Sequence, residues 1–169
     1  MKYLPSLIET IENSIHEKAT PNIILIVDDD EINRDILGNI FTADYSVEPA
    51  ENGKECLEKI QKYGQQICAV LLDVIMPVMG GIEALKKLSE DGVVNNIPVF
   101  LITGETDVHI IKQAYELGVM DVISKPFSSY IVQRRVNSVI EFFASRKRLS
   151  NVVDHQQNQL LKQAKKFCI

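Results

Sequence analysis

Four acidic residues in succession, Asp28-Asp29-Asp30-Glu31, follow directly on the apolar run Ile23 to Val27, and a single carboxylate, Asp73, follows directly on a run ending at Leu72. Thr103 comes straight after the run Val99 to Ile102, and Ser124-Lys125 straight after Asp121 to Ile123. One aspartate in such a place is ordinarily a helix cap or a turn former. The set has a different meaning if its members meet. Asp28, Asp29 and Asp73 would then crowd three carboxylates into a small volume, which is repulsive unless a hard divalent cation sits among them, and an all-oxygen donor set suits magnesium. Lys125 and Thr103 would add a positive charge and a hydroxyl, groups that bind phosphoryl oxygens.

Whether they meet depends on the elements that carry them. Ile23 to Val27, Ala69 to Leu72, Val99 to Ile102 and, more weakly, Asp121 to Ile123 read as strands, with Tyr45 to Glu48 as a marginal fifth. Apolar residues at helical spacing mark about 31–41, 53–63, 81–90 and 106–117, and a long helix from about 128. Strands that are apolar on both faces and alternate with helices specify an α/β fold, a doubly wound five-stranded parallel sheet with helices on both sides. In such sheets the functional crevice lies beyond the carboxyl ends of the strands, where strand order reverses. That is the edge to which every residue of the set is delivered.

Composition narrows the function classes. The chain has 169 residues, 46% hydrophobic and 24% charged, enough for one domain with an extra element at either end. With 18 basic against 23 acidic side chains and a net charge of -5, it is a poor match for a nucleic-acid backbone, which needs clustered Lys and Arg. No apolar run reaches the roughly 18 residues of a membrane span, and Met1-Lys2-Tyr3-Leu4-Pro5 does not open a signal peptide. The expected setting is cytoplasmic, without membrane or direct nucleic-acid binding. Cys56, Cys68 and Cys168 are odd in number and far apart, which suggests neither a disulfide framework nor a zinc site. His16, His109 and His155 read as isolated surface residues.

Five ordered stretches resemble the receiver domain of two-component response regulators: Ile24-Leu25-Ile26-Val27-Asp28-Asp29-Asp30, the run Leu71-Leu72-Asp73-Val74-Ile75-Met76-Pro77-Val78-Met79-Gly80-Gly81, Val99-Phe100-Leu101-Ile102-Thr103-Gly104, Glu116-Leu117-Gly118, and Ser124-Lys125-Pro126-Phe127. The likeness covers about residues 22–145 and implies the flavodoxin-like strand order 2-1-3-4-5. It further implies that Asp73 is the phosphoacceptor, and that Asp28, Asp29, Asp73 and the backbone carbonyl of Ile75 hold Mg2+. Lys125 would contact the acyl phosphate and Thr103 would follow it. The implied donor is a phosphohistidine on a sensor histidine kinase or phosphotransfer protein, and the implied recipient of the signal is an output domain or effector protein. Such a chain is a regulatory phosphoacceptor and not itself an enzyme.

The chain departs from the family pattern at several positions. Val122 stands three before Lys125, where the family often has an aromatic ring, so a paired movement of that ring with Thr103 is ruled out as such. Gly80 replaces a common acidic residue and loosens the start of the following helix. Ile75, two after Asp73, and Glu105, two after Thr103, occupy the positions that help or hinder the water that hydrolyses the phosphate.

The ends add two elements. Leu4, Leu7, Ile8, Ile11 and Ile15 give residues 1–20 an amphipathic helical pattern, expected to cover core surface. Beyond the receiver, 146–169 reads as a signalling helix or coiled-coil linker, because no Gly or Pro interrupts 128–169. Val139, Val153, Leu160 and Phe167 share a heptad position, with Arg146 as its polar exception, while Phe142 and Leu149 lie three residues further on. A homodimer through this helix is the expected assembly. Such helices resemble connectors to enzymes that make or degrade cyclic dinucleotides; no output domain follows Ile169, and the alternative that the chain is a fragment stays open.

The main rival is a haloacid-dehalogenase-type phosphatase, with Asp28 as nucleophile and Asp30 as general acid. It lacks a later acidic metal pair and a cap segment, and it leaves Asp73 without a task. A flavodoxin-like cofactor binder fits worse, since four acids after the first strand would repel its phosphate. A receiver fold kept only for interaction is opposed by the completeness of Asp28, Asp29, Asp73, Thr103 and Lys125.

Overall fold

Apolar runs such as Ile23–Val27 and Ile67–Leu72 are buried along their whole length, which requires cover on both faces of the sheet. A computed structural model describes residues 20–105 and 107–167. It has five strands, β1 Ile23–Val27, β2 Ser46–Ala50, β3 Ile67–Leu72, β4 Val99–Thr103 and β5 Asp121–Ser124, all paired in parallel. They alternate with helices α1 Glu31–Phe41, α2 Gly53–Tyr63, α3 Gly81–Glu90, α4 Val108–Glu116 and α5 Ser129–Phe167. The strand order is β2-β1-β3-β4-β5, as expected.

Alternating side chains feed two cores. Ile24, Ile26, Leu71, Phe100 and Ile102 pack under α1 and α5 with Leu37, Phe41, Val132 and Val136. On the other face Leu25, Val27, Val70, Leu72 and Leu101 pack with Cys56, Ile60, Leu85, Leu88 and Ala114 of α2, α3 and α4. Burial pushes the Cys56 and Cys68 thiols up to about 12, which fits packing residues. His109 and His155 are exposed; His16 and Cys168 lie outside the described residues.

Boundaries shift where the apolar pattern is diluted. β2 runs from Ser46 to Ala50 and not Tyr45 to Glu48, because this edge strand pairs only with β1 and tolerates Pro49, whose missing N–H costs it little there. β3 begins at Ile67 rather than Ala69, and Thr103 is the last residue of β4 rather than the first after it. The helix expected over residues 1–20 lies outside the described residues, apart from Thr20. α5 is continuous for 39 residues, about 58 Å at 1.5 Å per residue, so the division expected at residue 145 falls inside one helix.

Candidate functional site

Adjacent strands end together and so deliver their next residues together. Val27 pairs with Leu72, which sets Asp28 beside Asp73, and the Asp73 amide donates to the Val27 carbonyl at 2.8 Å. On the other side Leu72 pairs with Leu101 and Thr103 with Ser124, bringing Thr103 and Lys125 to the same edge.

Carboxylate oxygens of Asp28, Asp29 and Asp73 lie within 4.8 Å of one another. Asp28 is buried and Asp29 exposed, while Asp73 is intermediate. Lys125 Nζ sits 2.7 Å from Asp28 Oδ2 and 3.0 Å from Asp73 Oδ2. Burial alone would lower the Lys125 pKa, but hydrogen bonds and charge from Asp28 and Asp73 outweigh it and hold the ammonium above the ordinary lysine value. Three carboxylates against one ammonium leave a formal charge of -2 at a cluster of hard oxygen donors. The residues therefore fit a small divalent cation such as Mg2+ in both charge and donor type.

The aspartates are held in fixed orientations. Asp28 Oδ1 accepts from the Asp30 amide at 2.9 Å and from Asn33 Nδ2 at 3.3 Å, and Asp73 Oδ1 accepts from the Val74 amide at 2.7 Å. Thr103 is buried, and its Oγ1 accepts from the Glu105 amide at 3.1 Å. Glu105 in turn accepts from the Asp107 amide at 2.9 Å, just ahead of α4. Ile75 lies in the loop after β3 and is 67% exposed. In that loop Val78 adopts φ 66°, a strained conformation for a β-branched residue.

Asp30 takes no part in the cluster. It is the N-cap of α1, its Oδ1 accepting from the Ile32 amide at 2.8 Å, and a carboxylate so committed is a poor general acid. Gly80 caps α3 without a side-chain hydrogen bond, as expected from its loss of an acidic group. Val122 pairs with Leu101 and packs against the core.

Three supporting residues were not singled out from the sequence. Arg34 donates to the Asp28 carbonyl at 2.7 Å and reaches Glu51 at 3.6 Å; a lone basic residue in an acidic helix start was the available signal. Asn33, one residue earlier, gave none. Gly81 matters through what it lacks: a Cβ there would lie 1.9 Å from the Asp73 carbonyl oxygen. Only glycine lets the start of α3 close against the backbone of the Asp73 loop, where the Gly81 amide donates to the Val74 carbonyl at 2.8 Å.

The family model described as response regulator receiver domain matches residues 24–137. The chain is 30% identical over 141 residues to a probable cyclic di-GMP phosphodiesterase of Vibrio cholerae, covering 83% of this chain and 32% of that protein. It is 34% identical over 123 residues to the CpxR homolog of Haemophilus influenzae, a transcriptional regulatory protein, covering 72% of this chain and 52% of that protein. The chain thus spans between about a third and a half of these relatives. Among solved structures, a chain of the CheX–CheY–BeF3–Mg2+ complex from Borrelia burgdorferi superposes with a TM-score of 0.66 at 30% identity, covering 73% of this chain and 92% of that one. The BeF3-activated DrrB receiver domain gives 0.63 at 25% identity, covering 71% and 97%. Among the described residues no helix is long and apolar enough to cross a membrane.

Proposed function

The chain belongs to the response regulator receiver domain family, and from that premise we propose that it is a phosphoacceptor switch in which Asp73 takes a phosphoryl group from a phosphohistidine. The observation that carries this reading is the meeting of Asp73 with the Lys125 ammonium and two further carboxylates at one sheet edge.

In the transfer an Asp73 carboxylate oxygen forms a bond to phosphorus as the phosphorus–nitrogen bond of the donor breaks. The imidazole leaves with the electron pair and takes a proton from solvent. Asp28, Asp29, Asp73 and the Ile75 carbonyl would hold Mg2+, which when bound neutralises phosphoryl charge and fixes an in-line approach. The hydrogen bonds that orient Asp28 and Asp73 hold both carboxylates ready, so catalysis by this chain is mainly positioning. Once Asp73 is phosphorylated, Lys125 pairs with a phosphoryl oxygen, and the Thr103 hydroxyl donates to another while still accepting from the Glu105 amide.

The change leaves by the shortest covalent route. Lys125 is followed within four residues by the start of α5, and that helix passes the signal to an output domain or effector protein. The donor is a sensor histidine kinase or phosphotransfer protein, and a phosphohistidine made from ATP puts the chain in the cytoplasm. The chain accepts a phosphoryl group and turns over no separate substrate.

Incubation with acetyl phosphate and Mg2+ should add one acid-stable, base-labile phosphoryl group, and Asp73→Asn should abolish the labelling. If Asp73→Asn still labels and Asp28→Asn does not, Asp28 is the nucleophile and the phosphatase chemistry replaces this one.

A further inference from the structure

Two of the three clustered carboxylates are held by neighbouring groups. Asp28 accepts from the Asp30 amide, Asn33 and Lys125, and Asp73 accepts from the Val74 amide and Lys125. Asp29 has no such hold. Among the described residues its exposed carboxylate makes no hydrogen bond or ion pair, although it offers an oxygen within 4.8 Å of the other two. Its place is therefore set by the backbone that carries it.

That backbone is fixed on both sides of Asp28. The Asp28 amide donates to the Ala50 carbonyl at 3.1 Å, just beyond Val27, whose pairing with Ala50 is the last between β1 and β2. The Asp28 carbonyl is taken by Arg34 Nη1 at 2.7 Å. Helical side chains lean back toward the N-terminus of their helix, so Arg34, near the start of α1, reaches the segment ahead of the Asp30 cap. The peptide group is planar, and a bond to the Asp28 oxygen orients the Cα of Asp29 along with it.

We propose that Arg34 is a positioning residue for the cation site: acting through the peptide between Asp28 and Asp29, it sets the Asp29 carboxylate beside those of Asp28 and Asp73. Arginine suits the task in two ways. Its side chain is only 12% exposed, so water competes little for the carbonyl bond. Its planar fork also carries Nη2, 3.6 Å from Glu51 Oε1, and Glu51 directly follows β2, so one guanidinium spans the ends of the first two strands. Glu51 is 67% exposed and contributes little energy; the carbonyl bond carries the effect. The inference rests on the proposed binding of Mg2+ at this edge. Its sign is opposite to that of charge alone, because a cation beside the site repels Mg2+, and removing it as a mere charge would tighten binding.

The test is the Mg2+ dependence of Tm in the full chain at constant ionic strength, which yields an apparent Kd, beside the Mg2+ dependence of labelling by acetyl phosphate. Arg34→Met should weaken Mg2+ binding by at least about 10-fold, the loss typical when a group that orients a metal ligand is removed. The Mg2+ needed for half-maximal labelling should rise by the same factor, while the rate at saturating Mg2+ stays within about twofold of wild type. Arg34→Lys keeps the charge and a donor and should recover most of the affinity. Lys59→Met breaks a partly buried ion pair between α2 and β2; it should lower Tm and leave Mg2+ affinity within about twofold. Unchanged or tighter Mg2+ binding in Arg34→Met overturns the inference, and so does an equal loss in Lys59→Met, which would trace the effect to stability. Should Arg34→Met not fold, Arg34→Gln, too short to reach the Asp28 carbonyl, takes its place with the same expected loss and the same refuting result. A wild type whose Tm and labelling both ignore Mg2+ refutes the metal reading itself, and the inference falls with it.

Discussion

Lys125→Met removes the ammonium that the site holds against its carboxylates while keeping most of the apolar stem. The lost contacts are 2.7 Å to Asp28 and 3.0 Å to Asp73, whose side chains are only 2% and 12% exposed. At an effective dielectric of about 20 each contact is a gross attraction of about 6 kcal/mol, much of it offset by desolvation. Removing one partner of a buried pair costs about 3 to 5 kcal/mol, and because Asp73 keeps a solvent-facing edge the lower end applies. At about 3 °C per kcal/mol for a domain of this size, Tm should fall by about 10 °C. The cluster then carries a formal charge of -3, so Mg2+ should raise Tm more in the variant than in wild type. Asp29→Ala, by contrast, should lose most of its Mg2+ response and keep its fold. The pH dependence follows from the sign of the Lys125 shift. Its folded pKa lies above 10.5, so the wild-type contribution is complete below that value and is lost as pH rises through the folded pKa. The gap between the two proteins should therefore close only above pH 10.5. Thermal melts in EDTA and in Mg2+ at neutral pH are the assay. A drop of less than about 2 °C in EDTA, below the smallest shift expected per kcal/mol, or a smaller Mg2+ increment in the variant, would refute the reasoning.

Ile75→Asn should speed spontaneous dephosphorylation by roughly one to two decades, since a hydrogen-bonding side chain two residues after Asp73 can hold the attacking water, a contact worth about 1 to 3 kcal/mol; loss of phosphoprotein after donor removal measures it, and an equal or slower rate would exclude position 75 from control of that water. Val78→Asn should raise stability by about 1 kcal/mol, because Asn tolerates the positive φ that strains valine, and a urea midpoint unchanged or lowered would contradict the strain. With both thiols pushed up to about 12, Cys56 and Cys68 should resist iodoacetamide at about pH 8 in the folded chain and react on unfolding; peptide masses showing modification of either in the native state would contradict their burial.

The fold and the cluster were legible for one physical reason. Strands buried on both faces leave a polar residue only where they end, so Asp28, Asp73 and Lys125 announce themselves at run boundaries. β2 was blurred because an edge strand carrying Ser46, Glu48 and Pro49 lacks that pattern. Asp30 had a task only in the rival phosphatase reading, and the backbone geometry that makes it the cap of α1 is not written in residue types. Val139 and Arg146 fit a heptad by spacing, but Val139 is partly buried against the receiver core and Arg146 donates to the Asn95 carbonyl, contacts between segments far apart in the chain. The constraint at Gly81 and the positive φ at Val78 depend on how the loop after β3 closes, which residue types alone do not encode.

The most direct test of the account is to locate the phosphoryl group. After phosphorylation with acetyl phosphate and Mg2+, borohydride reduction converts an aspartyl phosphate to homoserine, and peptide mass spectrometry reads the position. The account predicts homoserine at residue 73 alone. Homoserine at residue 28, or no homoserine in a chain that has demonstrably taken up phosphoryl groups, would contradict it.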